Sequence, residues 1–200
     1  MFSLAVVAAG ASMAFVGVSS ALATGSTAIC ETHTSAACAS PVSLVTFHQS
    51  GTGTLVAGSI TVLCLSGTFG GHVESEASPL GIEVLTLEFS QCGTNKAHNN
   101  CIVITTVKGL LDIARSELNL GTATSLGTKV LVECSGLHCV YGGPEAIGFT
   151  LEGALHTEGA GKGLFIAKNL KLPQVEGLFC PSESHWTAKF EPLVHLYLLK

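Results

Sequence analysis

Eight cysteines, Cys30, Cys38, Cys64, Cys92, Cys101, Cys134, Cys139 and Cys180, all lie beyond an uncharged apolar run that opens the chain. That order constrains the fold more than any other feature, because it places every thiol on the exported side of an apparent leader. The run "LAVVAAGASMAFVGV", Leu4 to Val18, falls short of the about 20 apolar residues that cross a hydrocarbon core and matches a signal-peptide h-region. Ala21 and Ala23 flank Leu22 as the small-x-small pattern that a signal peptidase reads. The basic n-region of such leaders is missing, since "MFS" carries only the α-amino charge. The reading is a signal peptide over residues 1–23, cut after Ala23, and a single all-β extracellular domain over 24–200. An uncleaved anchor would need a longer apolar core.

Cys30 does not read as a lipid attachment point. A lipoprotein site needs an aliphatic residue three before the cysteine and a small one just before it, whereas Thr27 and Ile29 occupy those places. An even cysteine count in an exported chain instead reads as a disulfide framework. Spacing alone favours three local clips, Cys30 with Cys38, Cys92 with Cys101 and Cys134 with Cys139. Cys64 and Cys180 are left for a long-range bond. In particular, "CSGLHC" reads as a hairpin whose two cysteines face each other across the strand pair.

Charge is scarce. Charged residues make up 12% of the chain, with a net charge of −5, one Arg (Arg115) and one Asp (Asp112). Phosphate backbones are held by clustered Lys and Arg, so this balance argues against a nucleic-acid partner. The scattered lysines offer no polybasic patch for anionic lipid, and no stable membrane insertion is expected once the leader is removed.

Beyond the leader, short β-branched and apolar runs alternate with Gly, Ser, Thr and Asn. In "WTAKFE", Trp186, Ala188 and Phe190 share one face and Thr187, Lys189 and Glu191 the other. "TKVLVEC" sets Val130, Val132 and Cys134 against Lys129 and Glu133, and "IGFTLEGAL" sets Ile147, Phe149, Leu151 and Leu155 against Thr150 and Glu152. These are strands with one buried face. In "IEVLTLEF" the phase changes between Val84 and Leu85, which a bulge after Val84 or two covered faces would explain. "SITVLCL" and "CIVITTV" are apolar on both faces and read as central strands. Only "GLLDIARSEL", Gly109 to Leu118, could carry a helical turn. About ten strands separated by Gly-rich turns give an antiparallel β-sandwich or barrel, stapled by disulfides.

Chemistry-bearing constellations are thin. Zinc sites favour C-x2-4-C knuckles or H-x3-5-H pairs; no C-x2-C and no H-x3-5-H pair is present, although His33 and His138 lie between cysteines that would sooner pair with each other in an oxidising compartment. Glu74 and Glu76, or Glu83 and Glu88, could form the carboxylate pair of a glycosidase cleft. One Trp and two Tyr supply little of the aromatic platform such clefts use. There is no G-x-S-x-G, and "EGAGKG" lacks the spacing and the Ser or Thr of a phosphate loop. No residue is singled out as catalytic, cofactor-binding or metal-ligating, and no cofactor is implied.

The C-terminal "FCPSESHWTAKFEPLVHLYL", Phe179 to Leu198, together with "LEFSQC…NNCIV" and "VECSGLHCVYG", resembles secreted cysteine-containing β proteins of soil actinobacteria. The resemblance covers most of the chain after the leader and implies export and a β fold, with no activity and no site residues. The chain therefore reads as a secreted or cell-surface module, structural or binding, of the cell exterior or envelope. The alternatives are a secreted glycoside hydrolase-like enzyme with a Glu-based cleft, or an extracellular metal-binding protein.

Overall fold

The computed structural model describes residues 27–34, 37–75, 79–94, 100–117, 120–134, 136–143, 147–152, 163–194 and 196–199. The expected leader, its cut at Ala21 to Ala23, Glu76 and Leu155 lie outside them. Strands account for nearly all of the regular structure, beginning with β1 (Ala28–Thr34) and β2 (Ala37–Pro41).

The remaining strands build a closed barrel, the second of the two architectures the sequence allowed. Its eight staves run up and down in chain order. The first is β3 (Leu44–Gln49) continued by β4 (Gly53–Ala57); the second and third are the long β5 (Ile60–Ser75) and β6 (Leu80–Thr94). The fourth is β7 (Cys101–Val107) continued by β8 (Leu110–Glu117), and the fifth β9 (Leu120–Leu126) continued by β10 (Lys129–Cys134). The sixth is β11 (Leu137–Gly142) with β12 (Ile147–Glu152), followed by β13 (Leu164–Glu176) and β14 (Glu183–Pro192). Pairing of β14 with both β3 and β4 closes the circle, through Phe190 opposite Gln49 and Trp186 opposite Leu55. About ten strands were expected; half of the staves are interrupted midway, which gives twelve barrel strands, and the separate sheet of three brings the described strands to fifteen.

The interruptions have local causes. Gly109, between β7 and β8, sits so close to the Leu126 carbonyl that any Cβ would overlap it. Gly142 closes β11 at φ +113°, a backbone that favours glycine, against the Thr128 carbonyl. On β6 the expected bulge is present: Gly70 faces Thr86 while Gly71 faces Val84, leaving Leu85 as the extra residue. Lys108 donates to the Leu85 carbonyl there. β13 bulges at Lys168–Asn169, where Asn169 takes φ +52° and its N–H donates to Thr187 Oγ1 at 3.0 Å.

Two cores fill the barrel, one toward each end. The upper one joins Val45, Phe47, Phe69, Ile82, Val84, Leu111, Ile113, Phe165 and Phe190. Phe47 meets Phe165 edge-on at a centroid distance of 4.6 Å. The lower core contains Ala57, Val62, Val132, Tyr141 and Leu172 with the cysteines. Phe89, Leu170 and Trp186 pack against both and form the waist. β1 pairs with β2 and with β15 (Tyr197–Leu199), and Ile29 of β1 and Leu196, just before β15, join the upper core, so the first and last described strands cap that end together.

Several sequence readings change. Within "GLLDIARSEL", Leu110–Glu117 is strand, because Leu111 and Ile113 point inward with a period of two and the segment pairs with β9. Strands read as covered on both faces have only the barrel interior to bury them, so Leu65, Ile102 and Ile104 are exposed on the outer wall. The phases of "WTAKFE" and "TKVLVEC" hold: Ala188, Phe190, Val132 and Cys134 are buried.

Three disulfides, Cys64–Cys92, Cys101–Cys134 and Cys139–Cys180, replace the expected Cys92–Cys101, Cys134–Cys139 and Cys64–Cys180 pairs. Register explains each. Cys64 lies directly opposite Cys92 and Cys101 directly opposite Cys134, on adjacent inward-facing positions. The "CSGLHC" hairpin turns more tightly than its cysteine spacing implies, pairing Cys134 with Leu137 and Val132 with Cys139. Cys139 is therefore offset from Cys134 and reaches Cys180 in the β13–β14 connection, so the expected Cys64–Cys180 bond does not form. Cys30 is disulfide-bonded; the Cys38 side chain lies outside the described residues.

Cys139–Cys180 spans 41 residues, the longest separation of the three. Replacing both cysteines with alanine is expected to lower stability by about 2–4 kcal/mol in the chain-entropy model. Chemical denaturation without reductant checks this, and a loss below about 1 kcal/mol would mean that the neighbouring ladders already hold the clasp.

Candidate functional site

Inward-facing side chains of a barrel must fill its bore, and eight strands leave a bore just wide enough for side chains or one small ligand. Filling is incomplete at the level where the staves break. Ser125 and Thr128 flank the β9–β10 interruption, and Tyr141 and Gly142 end β11; all four line an internal void of about 60 Å³. Phe69, Val84, Leu87, Phe165 and Trp186 complete much of its wall.

Two smaller voids continue the space toward the disulfide-bearing end. One of about 30 Å³ shares Val130, Leu172 and Trp186 with the first. Another, of about 20 Å³, shares Leu55 and Val62 with the second and Tyr141 with the first, and ends at Pro181. Separated by these shared walls, the three form a file from the upper core to the disulfide-bearing end, and no Asp, Glu, Lys, Arg or His lines any of them.

Polar groups in this file are few. Ser125 Oγ donates to Thr128 Oγ1 at 2.7 Å, so that pair is satisfied from within. Tyr141 is 1% exposed, and its hydroxyl has no hydrogen-bond partner. Burial pushes its phenol pKa above the ordinary value, keeping the group a neutral donor. A buried hydroxyl without a partner costs about 1–3 kcal/mol. Tyr141 was not a candidate in the sequence; its only signal is that it shares the inward phase of Cys139 in "HCVYG".

The residues proposed from sequence lie elsewhere. Glu74, Glu83 and Glu88 are all exposed, and Glu83 and Glu88 stand five residues apart along the outer wall of β6. At about 3.3 Å per residue, that separation is about three times the span of a retaining glycosidase pair. His138 is ion-paired with Glu133 across the β10–β11 hairpin, Nδ1 to Oε1 at 2.7 Å, on an exposed face. The His33 side chain lies outside the described residues. No cluster of three or more His, Cys, Asp or Glu able to hold a metal occurs among the described residues.

One electrostatic cluster is resolved on the outer wall. The hydrogen bond from Lys171 to Glu183, with the Lys171 charge and His185 beside it, holds the Glu183 carboxyl below the usual carboxylate range. A carboxylate whose folded-state pKa is lowered contributes stability that is present above its unfolded pKa. That contribution is lost as pH falls through the lowered value.

Comparison with protein-family models, with curated proteins and with solved structures finds no match for the chain.

Two outcomes follow from this geometry. Tyr141→Phe is expected to raise the stability of the ligand-free protein by about 1–2 kcal/mol, since it deletes a buried donor with no acceptor; a loss in urea unfolding would reveal a partner for the hydroxyl. Lys171→Ala is expected to move the Glu183 titration upward toward an ordinary carboxylate in NMR pH titrations, and an unmoved midpoint would assign the depression to another group.

Proposed function

We propose that the protein is an exported, disulfide-stabilised binding module of the cell exterior, with the barrel interior as its binding region. The observation that carries the reading is the apolar void lined in part by Tyr141, whose buried hydroxyl has no partner. A module that served only as scaffold would gain from filling that space.

Other features support the setting. Disulfides join strands of the barrel wall at Cys64–Cys92 and Cys101–Cys134, as suits an oxidising compartment. A cut after Ala23 would leave β1 and all eight cysteines in the mature chain. Charged residues such as Glu83, Glu88, Glu133, Lys171 and Lys189 stand on the outer wall, while the inner face is apolar. A lipid-embedded barrel has the reverse pattern. Kinship with secreted actinobacterial β proteins belongs to the same reading, and association with the envelope is consistent with it. A glycoside hydrolase is not favoured, because the exposed Glu83 and Glu88 share no cleft.

The test is the intact mass of protein exported by its native host, with thiols alkylated before and after reduction. The expected result is a chain starting at Thr24, without lipid, that takes up alkylating reagent only after reduction. A lipidated chain starting at Cys30, or thiols that react without reductant, would overturn it.

A further inference from the structure

We propose that the internal file of voids binds a slender, neutral, lipid-like molecule carrying one oxygen acceptor, which takes the hydrogen bond of the Tyr141 hydroxyl. This rests on the reading of the barrel interior as a binding region and names the chemical class it would take.

Each property of the ligand follows from the walls. Neutrality follows from the absence of any Asp, Glu, Lys, Arg or His along the three voids. A carboxylate or ammonium group buried there would find no counter-charge and would be strongly disfavoured. The apolar character follows from Phe69, Val84, Leu87, Leu172 and Trp186, which offer dispersion contacts and no donors aimed at a sugar or a nucleotide. Slenderness follows from the file itself, whose segments measure about 60, 30 and 20 Å³ and share walls at Trp186, Leu172 and Val62. A water-sized group needs about 10–15 Å³ of such space, so a short chain of about six heavy atoms fits with little wall movement.

The single acceptor follows from Tyr141. Its hydroxyl is buried and unpartnered, and the hydroxyls of Ser125 and Thr128 already bond to each other. Of the two buried hydroxyls without a partner, Tyr141 and Ser184, only Tyr141 belongs to the walls of these voids, and a ketone, aldehyde, ether or ester oxygen beside it would accept its hydrogen bond while the carbon chain follows the file toward Pro181. Binding specificity of this kind is expected wherever a pocket is apolar apart from one placed polar group.

Trp186 is the only tryptophan in the chain and lines two of the voids, so its fluorescence reports on occupancy directly. The experiment titrates the full exported chain with 2-pentanone and, in parallel, with pentanoate at neutral pH. It repeats both with Tyr141→Phe and with Val130→Phe, a variant that plugs the wall shared by two voids. Folding of each variant is checked by its thermal transition. Saturable binding of the ketone is expected, weakened about 5–10-fold by Tyr141→Phe, the range of one neutral hydrogen bond. Val130→Phe is expected to abolish it, and pentanoate to bind far more weakly. Ketone binding indifferent to Tyr141→Phe would overturn the proposed ligand class while leaving the interior as a binding region. Pentanoate binding as tightly as the ketone would overturn neutrality. No saturable response to either probe in the wild-type protein would overturn the interior site itself.

Discussion

Closure of the sheet at one seam is the constraint on which the rest depends. β14, near the end of the chain, must find β3 and β4, near its start, and the ladder between them is short. Left open, an eight-stave sheet would present two unpaired edges and expose its whole inner face. What holds the seam is less its hydrogen bonds than the rings behind it. Phe47 on β3 and Phe190 on β14 belong to the same core as Phe69 and Phe165, and Phe165 packs edge-on against Phe47 and Phe69. The small residues Ala123, Ala167 and Ala188 leave these rings room. The aromatic cluster therefore carries the closure from within, and the sheet of β1, β2 and β15 covers its open end by joining the first and last described strands.

The lower half is held differently. Its core is poorer in large rings, and all three described disulfides lie there. The wall of this half is also thin in places: β11 and β13 share only two register pairs, Val140 with Glu176 and Tyr141 with Gln174. Cys139–Cys180 crosses that same junction and ties the β11 hairpin to the turn that follows β13. Gly177 sits in this turn at φ +118°, packed against the His138 carbonyl, so the connection has little freedom. Beyond the clasp, Leu178 and Phe179 stand 82% and 94% exposed, which shows that the bond, and not burial, fixes the turn.

Much of the fold could be read in the sequence, because it depends on local alternation. The strand of "WTAKFE", the bulge after Val84 and the all-β class follow from the two-residue period and from where it breaks. Choosing a barrel over a sandwich could not, since closure depends on residues about 140 positions apart meeting at one seam. Three of the four expected cysteine pairings failed for a related reason. Nearness in sequence favours Cys92 with Cys101, but register across β5 and β6 places Cys92 opposite Cys64. The short run around Leu110 to Ile113 fits either period, and only its place between β6 and β9 decides it. Of the candidate site nothing was legible beforehand. A void is a property of side chains that do not meet, and Tyr141 looks like any other strand tyrosine until its surroundings are known.

The void also has an energetic logic that links the two halves. An apolar gap destabilises by about 24 cal/mol per Å³, so about 60 Å³ costs about 1.5 kcal/mol. The unpartnered hydroxyl of Tyr141 adds about 1–3 kcal/mol. Together these approach what one disulfide contributes, about 2–4 kcal/mol. The imperfect layer lies between the aromatic cluster, whose Phe69, Phe165 and Phe190 form part of its wall, and the half that carries three such bonds. A chain stabilised only by its core would have little margin for an empty layer. Covalent links across the wall supply that margin without filling the bore, which is the condition a barrel must meet if its interior is to remain open to a ligand.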